Sequence, residues 1–216
     1  MHATVKQVRE AASRWQDRPV LRPAADASDV EAVTIRYLMY VLMPAWFIPG
    51  FADYLIHRRT KIESTSGVRE SAIHSLMMGE VAIPVTLTLL FETNAAVLAA
   101  AVAATGVHEA TAIWDVRAAV NGGREVPPAE QHLHSFLESL PVMATAALCC
   151  LHWDQVAKLR TKAGRRESGR LRLRRHPLPP GYLAAVAAGV ACLIAAPYGE
   201  ELWRCVRASR QRRNVS

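Results

Sequence analysis

ESAIHSLMMGEVAIPVTLTLLFETNAAVLAAAVAATGVHEATAIWD, residues 70–115, places two apolar segments on either side of the polar turn Glu92-Thr93-Asn94. Each segment has about 20 residues, the length a helix needs to cross a hydrocarbon core of about 30 Å. Folding back at the turn gives an antiparallel helical hairpin. Its outer end carries Glu70 and His74 on one arm and His108, Glu109 and Asp115 on the other. The alanine-rich run from Ala95 to Ala104 suits this pairing, because small side chains let helix backbones approach without lipid between them.

Working outward, three further apolar segments appear at 37–56, 136–151 and 182–198, beside the hairpin arms at 71–91 and 95–114. The chain is 51% hydrophobic yet 21% charged, and it reconciles the two by segregation, long charge-poor runs alternating with short basic ones. The expected fold is all-α, a polytopic membrane helix bundle with about five transmembrane helices. The fourth segment is short and interrupted by Pro141, which leaves four spans plus one re-entrant segment as the variant. Pro44 and Pro49 are expected to bend the first span.

The chain divides accordingly into five parts. Residues 1–34 form an amphipathic or flexible arm, with Val5, Val8, Ala12 and Trp15 near helical spacing, and 35–154 form a four-helix membrane core. Next come a basic loop at 155–177, a transmembrane helix at 178–204 and a basic tail at 205–216. Gly122-Gly123 and Pro127-Pro128 read as breakers in the connection at 116–130. Trp114, Trp153, Tyr182 and Trp203 fall near span ends, as an interfacial aromatic belt requires.

The net charge of +7 comes mostly from arginines beside apolar spans, nine Lys or Arg lying between His152 and His176. Anionic lipid headgroups of the bilayer are the expected partner, and nucleic acid is not. Cys149, Cys150, Cys192 and Cys205 lack C-x-x-C spacing and read as apolar filler. Met1 to Asp29 is polar with no continuous apolar core, so insertion is expected to start at the first span, in a bacterial inner membrane. Oligomeric state has no signature here.

The chemistry lies in the histidines and acids. Residues four or seven apart share a helix face, and Asp53/His57, Glu70/His74, His108/Asp115 and Glu130/His134 are all so spaced. Following the chain through alternate crossings puts all four pairs at one membrane side. Ionisable groups in a span cost roughly 2.5–3.5 kcal/mol each on insertion scales, and divalent metal compensates them: carboxylates neutralise the charge while imidazoles complete the shell. Four carboxylates and four histidines suit two divalent ions, iron first and zinc or manganese next. Glu109 is the candidate base, and Glu80, about 9 Å deeper than His74, a candidate proton-handling group. His132 and Glu138 are further candidates. The competing reading pairs these acids with Arg58, Arg59, Arg69, Arg117 and Arg124.

The expected function is an intramembrane metalloenzyme, foremost a di-iron oxidase or hydroxylase acting on a lipid-soluble substrate. A zinc-dependent lipid hydrolase is the alternative, and a metal transporter or non-catalytic scaffold comes third. The eight histidines form neither the H-x-x-x-H nor the H-x-x-H-H boxes of membrane desaturases and hydroxylases. The kinship is one of chemistry, and no family is recognised.

Overall fold

The computed structural model describes residues 27–121, 125–162, 164 and 169–214. Among them, five helices are long and apolar enough to cross a membrane: α1 (Ser28–Thr60), α2 (Val68–Leu90), α3 (Ala95–Asn121), α4 (Pro128–Leu151) and α6 (Pro180–Arg213). A short helix, α5 (Trp153–Lys158), follows α4. The bundle is a closed ring: α1 packs on α4 and α6, α4 on α3, α3 on α2, and α2 on α6. The amphipathic pattern at 5–15 lies outside the described residues.

The distribution of polarity is inverted relative to a water-soluble bundle. Ile48, Leu76, Ile83, Val102, Val107 and Val142 face outward, while Asp53, Glu70, Glu80, Asp115, Glu130 and Glu201 are buried. A hydrocarbon solvent explains both halves: it accepts the apolar exterior and drives ionisable groups toward the ring centre. Helix length, composition and surface together make this an integral membrane protein.

Prolines set several boundaries differently from the sequence reading. Helix α4 begins at Pro128, not near residue 136, and its 24 residues are long enough to cross the bilayer fully, which removes the re-entrant variant. Pro128 sits at the first helical position, where its missing N–H is not needed, so a pair read as a breaker starts the helix. Pro180 opens α6 in the same way. Pro44 does not simply bend α1. The turn before it, Leu38–Leu42, widens into a π-helix in which the Met43 N–H bonds to the Leu38 carbonyl. Pro197 is preceded by a second π segment, Val190–Ala195, with the Ala196 N–H on the Ala191 carbonyl. Each proline lacks the donor that the carbonyl four residues back would need, and the wider turn relieves the crowding there.

The hairpin turn is built by Asn94, whose Oδ1 accepts from the N–H groups of Ala96 and Val97 and caps α3. The basic segment after α5 folds back on this turn. Glu92 N–H donates to the Arg172 carbonyl at 2.8 Å, and Arg174 N–H donates to Leu90 at 3.0 Å, forming an isolated antiparallel bridge between Phe91 and Leu173. At the opposite membrane side α1 and α2 are joined by a tight turn in which Lys61 and Gly67 both have positive φ.

Helices α1 and α6 approach closely through two glycines. A Cβ on Gly189 would stand 2.8 Å from the Phe47 ring, and one on Gly50 would stand 2.8 Å from Ile194 Cδ1. Phe47 and Ile194 belong to the buried core with Trp46, Ile73, Met77 and Leu137. We predict that Gly189→Leu, by overpacking against the buried Phe47 ring, costs about 1–3 kcal/mol and lowers the thermal unfolding midpoint in mild detergent. Gly79→Leu serves as the control and leaves the midpoint unchanged, because nothing lies within 4 Å of a Cβ there.

Candidate metal centre

The ring of helices brings one layer of carboxylates and imidazoles to its centre. Asp53, His57, Glu130 and His134 each place one ligand atom within 4.8 Å of the others, and His57, His74 and His134 form a second, overlapping group. The cause is spacing: Asp53/His57 on α1 and Glu130/His134 on α4 are both four apart, so each helix aims a carboxylate and an imidazole in one direction. Asp115 of α3 joins through His74 Nε2 at 3.2 Å. Asp53, His57, His74, Asp115 and Glu130 are buried, and His134 is half-buried.

Helix α6 supplies two residues that fix the others. Glu201 Oε2 lies 2.9 Å from His57 Nδ1, and its Oε1 lies 3.7 Å from His74 Nδ1, so one carboxylate stands behind two imidazoles stacked at 4.8 Å. The Tyr198 hydroxyl lies 3.1 Å from both Asp53 Oδ2 and the Gly50 carbonyl. With Asp53 Oδ2 held there, Oδ1 is turned toward His57 Nε2 at 3.4 Å and His134 Nε2 at 3.2 Å.

Tautomer logic makes this arrangement informative. With Glu201 ionised, His57 carries its proton on Nδ1, and the Nε2 lone pair points at Asp53 Oδ1 and at Glu130 Oε1, 3.3 Å away. A lone pair facing two carboxylates needs a cation between them, either a second proton or a metal ion. Charge-assisted N–H···O bonds run to about 2.7–2.9 Å, the length of the outer Glu201 contact, and the inner contacts are longer at 3.2–3.4 Å. Two ligands bound at about 2.0–2.2 Å to one ion lie about 2.8–3.6 Å apart at bond angles near 90–110°, and the inner contacts of 3.2–3.4 Å fall within this range, so the layer has the dimensions of a metal site. A carboxylate on the far nitrogen is how metal-binding histidines are usually oriented.

Asp115 Oδ1 is buried without a hydrogen-bond partner among the described residues, and His74 Nδ1 and Glu201 Oε1 meet only each other, at 3.7 Å. Beside them, a cavity of about 20 Å³ is bordered by Asp53, His74, Asp115, His134, Glu138 and Tyr198. It has room for one water-sized ligand.

The remaining sequence candidates fall elsewhere. His108 is not brought to the layer: its Nδ1 lies 3.6 Å from Glu80 Oε2, and Glu80 Oε1 accepts from Thr111 at 2.8 Å. Seven residues separate His108 from Asp115, about 10 Å along the axis; they share a face but not a depth. Glu70 is buried in the first turn of α2 but stands outside both ligand groups. Glu109 is half-buried and likewise outside them. His132 packs its ring edge on Phe136 instead. Arg58 meets Glu200 and Tyr54, and Arg204 meets Glu63 and Glu200, at the rim. No lysine or arginine is buried among the described residues.

Glu201 and Tyr198 were missed by the sequence reading. The signal was present: the fifth span ends on the ligand side, and a Glu-Glu pair stands just beyond a tyrosine there. No family model, curated protein or solved structure matches the chain.

Cobalt(II) titrated into chelator-treated protein should raise its unfolding temperature, by the linkage between ligand binding and stability. We expect Asp53→Ala to abolish the rise. Glu201→Gln, which keeps size and removes charge, should shift the cobalt midpoint about 10–100-fold higher; an unchanged midpoint would remove Glu201 from the centre.

Proposed function

We propose that this protein is an intramembrane metalloenzyme, an oxygen-activating oxidase or hydroxylase of a lipid-soluble substrate. The observation that carries the reading is the inward-facing pair of imidazole nitrogens, His57 Nε2 and His134 Nε2, set against Asp53 and Glu130 at ligand-edge distances. One ion would be held by Asp53, His57, Glu130 and His134, and a second by His74 and Asp115, with Glu201 behind both imidazoles. Nitrogen and carboxylate donors without thiolate suit iron, manganese or zinc, and iron is favoured in helix-bundle sites of mixed carboxylate and histidine donors.

Ferrous ions bound there would supply electrons and Lewis acidity for dioxygen. The chain's own part is to position, to exclude water and to handle protons. Burial of the layer keeps bulk water away, and Tyr198 holds Asp53 so that one oxygen faces the imidazoles. The small cavity beside Asp53 and His74 admits a diatomic or a single water. In hydroxylation one oxygen atom of dioxygen enters a C–H bond. The other leaves as water, taking two protons and two electrons from an external reductant of the electron-carrier class. Glu138, half-buried on the wall of that cavity, is the carboxyl group best placed to deliver a proton.

Full-length protein loaded with ferrous iron under anaerobic conditions should take up dioxygen in proportion to its iron, with the iron passing to the ferric state by Mössbauer spectroscopy. His134→Ala should reduce this uptake by about 100-fold or more. Zinc that resists exchange, with no dioxygen uptake after iron loading, would overturn oxidation in favour of lipid hydrolysis.

A further inference from the structure

Away from the His/carboxylate layer, α1, α2 and α4 border a second, larger and partly open cavity of about 420 Å³. Its volume is in the range of sites that hold whole small molecules, roughly 300–1,000 Å³. The walls are apolar, with Leu38, Met39 and Leu42 of α1, Val85 of α2, and Ala144 and Leu148 of α4. The π turn Leu38–Leu42 therefore forms one wall, and such widened turns recur at functional sites. Its polar lining residues include Glu31, Thr88, Glu92, Thr93, His152, Arg174 and Tyr182, so acids and bases are mixed there. Arg174 is locked there by two bonds to the Thr88 carbonyl, at 3.2 and 2.7 Å.

The cavity also reaches Val81 and Pro141. These lie one helical turn from Met77 and Leu137, which border the small cavity beside the candidate metal ligands. Along α2 and α4 the lining residues of the two spaces are thus one helical turn apart, and Met77 is an unbranched residue able to change rotamer. From Thr88 to Met77 is eleven residues of helix, about 16 Å. One leaflet of hydrocarbon, half of about 30 Å, has nearly the same depth.

We propose that this chamber binds an amphiphile with a single long hydrocarbon chain, its head group at Arg174 and His152 and its chain end directed at the His/carboxylate layer. The inference rests on the metalloenzyme reading for its consequence, that chemistry occurs far from the head group, in the distal part of the chain. Binding itself does not require metal. The head group and the metal layer then occupy opposite membrane sides, and chain length decides which carbon reaches the layer.

The test uses full-length protein in phosphatidylcholine nanodiscs with hexadecanoic acid carrying a photoreactive diazirine, either at the chain end or next to the carboxyl. Labelled peptides are mapped by mass spectrometry. The chain-end probe is expected on Met77, Val81 or Leu137, and the head-end probe on Thr88, His152 or Tyr182. Ala144→Trp, which fills the chamber, should lower inner labelling about tenfold while metal content is unchanged. Labels confined to the lipid-facing Leu76, Ile83 and Val142, or the same labels from both probes, would overturn the proposal. Metal content measured on the same samples separates the two readings: inner labels without metal would sink the enzyme and keep the chamber, whereas bound metal with only outer labels would do the reverse.

Discussion

The structure turns on one electrostatic constraint: imidazoles of α1, α2 and α4 are held against carboxylates in the interior of the bundle. Such a cluster needs a positive charge within it, carried by protons or by a metal ion, and the inner distances of 3.2–3.4 Å leave room for a shared ion. Everything around the layer serves to hold that geometry. Glu201 fixes the His57 tautomer from behind, Tyr198 fixes Asp53, and the ring of five helices closes so that each contributes at least one group. The close crossing of α1 and α6 at Gly50 and Gly189 is part of the same device, because it sets α6 near enough for Tyr198 and Glu201 to reach α1.

A membrane solvent makes this arrangement tolerable as well as necessary. In hydrocarbon an unpaired charge is expelled, so Asp53, Asp115, Glu130 and Glu201 gather where imidazoles and the Tyr198 hydroxyl are found. Glu80, Thr111 and His108 form their own polar group deeper in the bundle, separate from the layer. Between the layer and the opposite membrane side lies the apolar chamber, one wall of which is the turn that Pro44 widens.

Much of the architecture was legible because helices in a bilayer must be long, apolar and alternately directed. Asp53, His57, His74, Asp115, Glu130 and His134 stood out through spacing combined with that alternation. His108 shows the limit of spacing: periodicity gives the angle around a helix, and only axial distance gives depth. Glu201 was overlooked because no histidine accompanies it on α6, although its membrane side could have been counted. Pro127-Pro128 misled for a different reason, since a proline that starts a helix and a proline that breaks one differ only in the residues beyond them. The chamber was not legible at all; it arises from how α1, α2, α4 and the returning basic segment pack, not from any single stretch.

The central claim is that the layer holds metal rather than shared protons, and metal content per folded chain tests it most directly. Full-length protein purified in mild detergent, and its Asp53→Ala and His134→Ala variants, would be analysed by elemental mass spectrometry after gel filtration confirms folding. The account predicts about two equivalents of divalent metal in the wild type and loss in both folded variants. Less than about a tenth of an equivalent in the wild type, even after anaerobic loading with iron, manganese or zinc, would contradict it and leave an imidazolium–carboxylate network in the bundle.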